Sequence, residues 1–373
     1  GRASLEHRAV VIATDRAQAL DALDALTHDT DHPHLIRGTA TTPAPLAFLF
    51  TGQGSQRPGM GRELYDTYPA FAQAFDDAVN ALDPHLDRPL RDLVFSRPDT
   101  PEAHLLNETR YTQPALFALE TALFRLLQHH GIHPDHLAGH SIGELTAAHA
   151  AGILTLHDAA HLVTTRARLM HNAPTGGAMI AIQATEQEIT PHLTPHVTIA
   201  AINTPTSLVI AGDHTQTHTI AQHFTNQGRR THTLNVSHAF HSPHMDPILD
   251  DFHHTATQLH YHPPHTPITT HGNPTDPHHW TQHIRQPVRY HDTTTTLTNH
   301  GITLHLELGP DPVLTPLTPN TTPTLHHQHP ETHTYLTALA TTHTHGHHPT
   351  THPPTTTHTN LPTYPFQHHH YWL

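Results

Sequence analysis

The sequence contains no cysteine, which excludes a disulfide framework, thiolate metal ligands and a cysteine nucleophile, and suits a reducing compartment. Any nucleophile is therefore an oxygen. Charge is scarce too, at 13% of 373 residues against 35% hydrophobic residues, because 49 histidines and many threonines stand where charged side chains are ordinary. The formal charge is −14 with histidine neutral. With a pKa near 6.5, about a quarter of the imidazoles are protonated at pH 7, which adds roughly +12 and leaves a working charge of about −2. Lysine and arginine together number 17 and form no cluster, which argues against a nucleic-acid protein. Also missing is any apolar run near the roughly 18 to 20 residues that span a bilayer, and the N-terminus has no signal-type segment. These absences read as a cytoplasmic protein with no membrane role, cut from something longer. The length exceeds what one core usually fills and implies two or three compact units.

The first 45 residues hold a strand-like Ala9–Ile12, a short helix over Ala17–Leu26 and a His/Pro/Thr stretch, and read as the end of a linker. Leu46–Phe50 is a continuous apolar run that ends in a glycine-bearing turn, the pattern of a buried parallel strand. Pro114 reads as a first-turn proline of a helix whose Leu116, Leu119, Leu123, Leu126 and Leu127 recur at helical spacing until Gly131. A strand over Leu137–Gly139 and a helix from Ile142 toward Gly152 follow, giving the strand–helix alternation of an α/β sheet. Residues 177–236 change rhythm to βαββαβ, with a capping box at Thr185 and Glu188, which is the ferredoxin-like order. Helices from Pro243 to about Leu259 and around Trp280–Ile284, then a strand over Leu304–Leu308, return the chain to the main unit. The expected division is 1–45 linker, 46–176 and 237–320 large subdomain, 177–236 small subdomain, and 321–373 a low-complexity trailing linker with an aromatic end.

Gly139-His140-Ser141-Ile142-Gly143 sits between a strand and a helix, where a serine rides on a sharp exposed turn and backbone N–H groups, that of Ile142 included, face a developing oxyanion. A glycine-rich packing turn with an idle serine is the plain alternative. With 49 histidines, a serine–histidine pairing from spacing alone carries no weight. His241 stands apart because it follows the inserted unit and precedes a helix begun by Ser242-Pro243, whose N-terminus disfavours imidazolium. His238 and His244 are the neighbouring alternatives. Arg166 lies on the apolar stripe Ala159, Val163, Met170 and so requires an anionic partner, either a buried carboxylate or an anionic substrate. Arg168 shares a polar, solvated face with His161, Thr164 and Thr165. The turn Gly52–Gln56 offers backbone donors. No HExxH pattern occurs, and the H-x-H strings of the tail have no accompanying carboxylate or cysteine, so no metal is expected.

Phe50–Gln56, Thr112–Leu116, Gly139–Glu144, Arg166–Met170, His238–His241 and Glu307–Pro310 occur in an order that resembles malonyl-CoA:acyl carrier protein transacylases. More narrowly, the chain resembles the acyltransferase domain of a modular type I polyketide synthase. Residues 1–45 and the segment Leu361–Gln367 with Tyr371-Trp372 are similar to the linkers on either side of that domain. The resemblance implies a hydrolase-like α/β core with a parallel sheet and an inserted ferredoxin-like subdomain. It implies that Ser141 is the nucleophile, His241 its base and Arg166 the binder of the substrate carboxylate. It implies oxyanion donors at the backbone of Gln53 and Ile142, a pocket lined by Gln113, Asn203, His238 and Phe240, and a main-chain carbonyl, at Gln286, orienting the base. It further implies malonyl-CoA as substrate, the phosphopantetheine thiol of an acyl carrier protein as acceptor, a neighbouring ketosynthase, and no bound cofactor. His238-Ala239-Phe240-His241 and Ile142 carry the malonyl form of the motifs that separate malonyl from methylmalonyl users. A thioesterase or hydrolase shares G-x-S-x-G but needs an acidic residue between the serine and a late histidine. The inserted unit and Arg166 argue against it, and intact Ser141, His241 and Arg166 argue against a non-catalytic docking domain.

Overall fold

The computed structural model describes residues 5–350. The aromatic segment after residue 360 lies outside the described residues. In chain order the strands are β1 (His7–Val11), β2 (Leu35–Thr39), β3 (Leu46–Phe50), β4 (His136–Gly139), β5 (Gly177–Ile182), β6 (Val197–Thr204), β7 (Ser207–Asp213), β8 (Thr231–Thr233), β9 (Ile268–Thr269), β10 (Leu304–Leu308) and β11 (Thr321–Pro323). They form three sheets.

The main sheet is parallel throughout, in the order β11-β10-β3-β4-β9. All five residues of β3, a continuous apolar run, are buried, as are all five of β10, where His305 and Glu307 alternate with three leucines. The helix Thr109–His129 is the central buried helix, flanked by Pro69–Leu82 and Leu156–His171. It begins earlier than expected: Glu108 is its N-cap, so Pro114 sits inside it rather than in its first turn. The missing amide strands only the Arg110 carbonyl, a small loss within a helix whose face is almost wholly buried. Glu120, in the same helix, accepts from Thr51 Oγ1 (2.8 Å) and Thr146 Oγ1 (2.7 Å), which ties the turn after β3 to the helix Ile142–Ala150.

The inserted unit is an antiparallel sheet in the order β6-β7-β5-β8, the ferredoxin-like arrangement, with a core of Ile180, Ile182, Val197, Ile199, Leu208, Ile210 and Phe224. Thr185 and Glu188 make the expected capping box. The unit is hydrogen-bonded to the main one: Ile202 N donates to Val288 O and Val288 N to Ala200 O, each at 2.9 Å. A cleft forms between the two sheets along this seam.

Both ends of the described chain are more ordered than their composition suggests. β2 falls in the His/Pro/Thr stretch and pairs with β1. β11 adds to the parallel sheet beyond residue 320, and Glu331–Thr344 is a helix that packs on β1 and β2 and sets buried Tyr335 against Tyr68 and His130. Its threonines hydrogen-bond back onto their own helix, Thr337 to His333 O and Thr341 to Thr337 O, each at 2.9 Å. Sequence reading also missed the helix Tyr290–Asn299, and the segment Pro243–Ile248 is 3-10 before the α-helix Leu249–Ala256 begins.

Candidate active site

β4 delivers the chain to Ser141, which takes φ 53° and ψ −117° and caps the helix Ile142–Ala150. That conformation is costly for a side-chain-bearing residue and is held only because the surroundings fix it. Gly139 and Gly143 make the turn possible. A Cβ on Gly139 would strike the Glu144 amide, and one on Gly143 would strike the Phe50 carbonyl. The strand–turn–helix context is the one that exposes a serine oxygen beside free amides.

His241 also has a positive φ, 54°, and is buried. Its Nε2 lies 2.9 Å from Ser141 Oγ, and its Nδ1 lies 2.9 Å from the Gln286 carbonyl oxygen. A carbonyl only accepts, so Nδ1 carries the proton and Nε2 is the acceptor facing the serine. Burial, with the Arg166 cation and His283 as further causes, holds the imidazole well below its ordinary pKa and keeps it neutral. The depression therefore comes from burial and a neighbouring cation, where the sequence reading credited a helix N-terminus.

Arg166 is 1% exposed and takes no carboxylate partner among the described residues. Nη1 donates to Gln113 Oε1 (2.7 Å), Nη2 to Ser141 Oγ (3.1 Å), and Nε has no partner. Burial pulls the guanidinium down to about 9, opposed by the Glu144 carboxylate, so it stays cationic at neutral pH. The buried-ion-pair alternative is thus not what the structure holds. Arg168 is exposed as expected, but Thr164 and Thr165 beside it are buried.

These side chains open on a cavity of about 280 Å³ between the two sheets. Gln53, Gln113, Asn203 and Phe240 line it, and the amides of Gln53 and Ile142 are engaged by no acceptor among the described residues. An oxygen nucleophile, a neutral base, free amides and a desolvated cation in one apolar cavity suit acyl transfer through the serine oxygen, with the cation placed to receive an anionic group.

Residues 47–349 match the acyl transferase domain family. The chain belongs to that family. It is 45% identical over 99% of its length to the spectinabilin polyketide synthase system protein NorB of Streptomyces orinoci, and spans 18% of that protein. The acyltransferase domain from the second module of the salinomycin polyketide synthase superposes with a TM-score of 0.86 at 44% identity, covering 91% of this chain and 84% of that one. A type II polyketide synthase malonyl-transacylase, solved in complex with its holo acyl-carrier protein, superposes with a TM-score of 0.71 at 29% identity, covering 79% of this chain and 99% of that one. The chain is an acyltransferase domain of the modular polyketide synthase kind, with the parallel core and small antiparallel sheet of that fold.

One expected pocket residue of the acyltransferase domain is displaced. His238 does not reach the cavity; its ring packs against Phe240 and His171, and its Nδ1 pairs with Ser237 Oγ at 2.8 Å. Phe240 lines the cavity in its place. Sequence reading missed much of the opposite wall. Met179 and Ala181 of β5 line the cavity while Ile180 and Ile182 face the small core, a period-two signal that was available. Val313 and Leu314 line it as well, on a loop held by Glu307, whose carboxylate accepts both their amides at 2.7 Å. Asn203 Oδ1 pairs with His140 Nε2 at 3.2 Å, which fixes the residue before the nucleophile. Asp311, His326 and His327 place possible metal-ligand atoms within 4.8 Å of one another, partly exposed and not among the residues lining the cavity. Among the described residues no helix is long and apolar enough to cross a membrane.

Proposed function

We propose that this acyltransferase domain loads a malonyl extender unit from malonyl-CoA onto the phosphopantetheine thiol of an acyl carrier protein, by way of a malonyl-serine at Ser141. The observation that carries this reading is the buried Arg166 guanidinium 3.1 Å from Ser141 Oγ in a largely apolar cavity. A carboxylate at the far end of a short acyl chain bonded to Ser141 is the group that such a cation selects, by charge-assisted and bidentate hydrogen bonds.

His241 Nε2 takes the Ser141 proton as Oγ attacks the thioester carbonyl, and the amides of Gln53 and Ile142 receive the oxyanion. Collapse expels CoA, whose thiolate takes the proton back from His241, and leaves the acyl-serine. The carrier thiol then gives its proton to His241, attacks the same carbonyl and departs with the malonyl group, which returns the proton to Ser141. No bound cofactor enters any step. The domain would do this in the cytoplasm beside the ketosynthase of the same synthase.

Malonyl is favoured over methylmalonyl because Phe240, adjacent to the base, lines the cavity where a C2 methyl would need room. One methyl is worth about 1 to 3 kcal/mol, so the preference is roughly 10- to 200-fold in kcat/KM. Competition of malonyl-CoA with methylmalonyl-CoA for transfer to a holo carrier protein tests the reading. Preferential malonyl transfer supports it; equal or reversed preference overturns the extender assignment, and release of free acid without transfer would favour a hydrolase.

A further inference from the structure

Glu144 lies three residues after Ser141, in the first turn of the helix Ile142–Ala150, and its carboxylate is buried. It contacts three side chains from outside that helix. Thr270 Oγ1, just past β9, donates to Oε1, His279 Nε2 lies 3.0 Å from Oε1, and His283 Nε2 lies 3.5 Å from Oε2. His279 and His283 are one turn apart on the buried face of the helix Pro277–Arg285. That helix ends at Gln286, the residue whose carbonyl receives His241 Nδ1–H. The His283 ring also stands edge-on to His241, with centroids 6.1 Å apart.

A buried carboxylate must be compensated, and this one has no arginine within ion-pair distance among the described residues. Its compensation comes from the two histidines, one threonine and, at longer range, the Arg166 cation that otherwise lacks a counter-charge. The cluster therefore ties the nucleophile's helix to the helix that ends in the base-orienting carbonyl. These contacts lie behind the catalytic pair and touch neither Ser141 Oγ nor the cavity.

We propose that Glu144, with His279 and His283, is a positioning unit that sets the Gln286 carbonyl in register with Ser141, so that His241 Nε2 is aimed at the serine oxygen. The inference rests on the reading of Ser141 and His241 as nucleophile and base. A displacement of about 1 Å in such a constellation costs on the order of 10²-fold in rate. Glu144→Gln and His283→Gln should therefore lower the single-turnover rate of acylation by malonyl-CoA about 10- to 100-fold, with KM within about threefold of the parent.

The rate of Ser141 modification by a neutral fluorophosphonate should fall in parallel, because that reaction needs the aimed base but not Arg166. Ser141→Ala run beside them tests the underlying reading. Should Glu144→Gln not fold, His279→Gln removes one of the three side chains around Glu144 and is judged by the same criteria. Folded variants that keep both rates within twofold of the parent, while Ser141→Ala is dead, overturn the positioning role alone. A loss confined to KM with unchanged fluorophosphonate reactivity overturns it as well, and assigns Glu144 to substrate binding through Arg166. Acylation that persists in Ser141→Ala overturns the site reading itself.

Discussion

Arg166 Nη2 donates to Ser141 Oγ across 3.1 Å. The oxygen that attacks is thus held by a cation on one side while His241 Nε2, at 2.9 Å, faces it as proton acceptor on the other. The hydroxyl proton is directed toward the histidine. A substrate carboxylate offered to Arg166 meets a guanidinium that no carboxylate among the described residues neutralises in contact, so the acyl group's charge and its reacting carbonyl are positioned together.

Replacing the cation should change selectivity rather than activity alone. Hydrogen bonds to charged groups contribute about 1.5 to 3 kcal/mol, so Arg166→Ala should cost malonyl-CoA roughly 10- to 150-fold in kcat/KM. Acetyl-CoA should improve relative to malonyl-CoA, since a neutral acyl group no longer faces a buried cation. Parallel kinetics with both thioesters check this; equal losses would make Arg166 a structural residue.

The state of His241 sets the acid limb of acylation. Burial and Arg166 depress its pKa well below 6.5, and the base works only when neutral. Single-turnover acylation should therefore stay level as pH falls from about 8 to about 6.5 and decline only below the ordinary histidine range. Loss of half the rate at about 6.5 would contradict the assignment. His241→Ala should reduce the rate about 10²- to 10⁴-fold and leave no such limb.

Stability should fall on both sides of a maximum near neutrality. Burial lowers His149 to about 4, so its contribution is complete above the ordinary value of about 6.5 and is lost as pH falls toward 4. At 1.36 kcal/mol per unit this one residue accounts for roughly 3 kcal/mol, and buried His241, with the partly buried His140 and His283, acts in the same direction. Glu120 acts oppositely. Burial pushes it up to about 8, so its contribution is complete below about 4.5 and is lost as pH rises through 8. Thermal melts at about pH 5, 6.5 and 8.5 should place the highest midpoint at the middle value. A midpoint that rises steadily from 8.5 to 5 would contradict the buried-histidine account.

Phe240 is the expected filter on the C2 substituent. Phe240→Ser should narrow the malonyl preference over methylmalonyl by about 10-fold or more, with little loss of malonyl turnover. Competition assays on parent and variant measure it, and an unchanged ratio would move the filter elsewhere on the wall.

What was legible in the sequence followed from residues with few alternatives. Gly139 and Gly143 are tolerable only in a tight strand-to-helix turn, Arg166 interrupts an apolar stripe, and β3 is an uninterrupted apolar run. The remainder was hidden by composition. Threonine and alanine fill the buried face of Glu331–Thr344, so a real helix reads as low complexity. Pro114 mimics a first turn because proline favours that place, yet burial of the helix tolerates it five residues later than its first residue. His279 and His283 could not be told from the other 47 histidines until the fold set them against Glu144.

The central claim is that the acyl group rests on Ser141 between the two half-reactions. Intact-mass measurement after brief exposure to malonyl-CoA, followed by peptide mapping, tests this most directly. The account predicts a gain of one malonyl group on the peptide containing Gly139–Gly143, absent in Ser141→Ala and removed when a holo carrier protein is added. A malonyl group on any other residue, or an adduct that survives in Ser141→Ala, would contradict it.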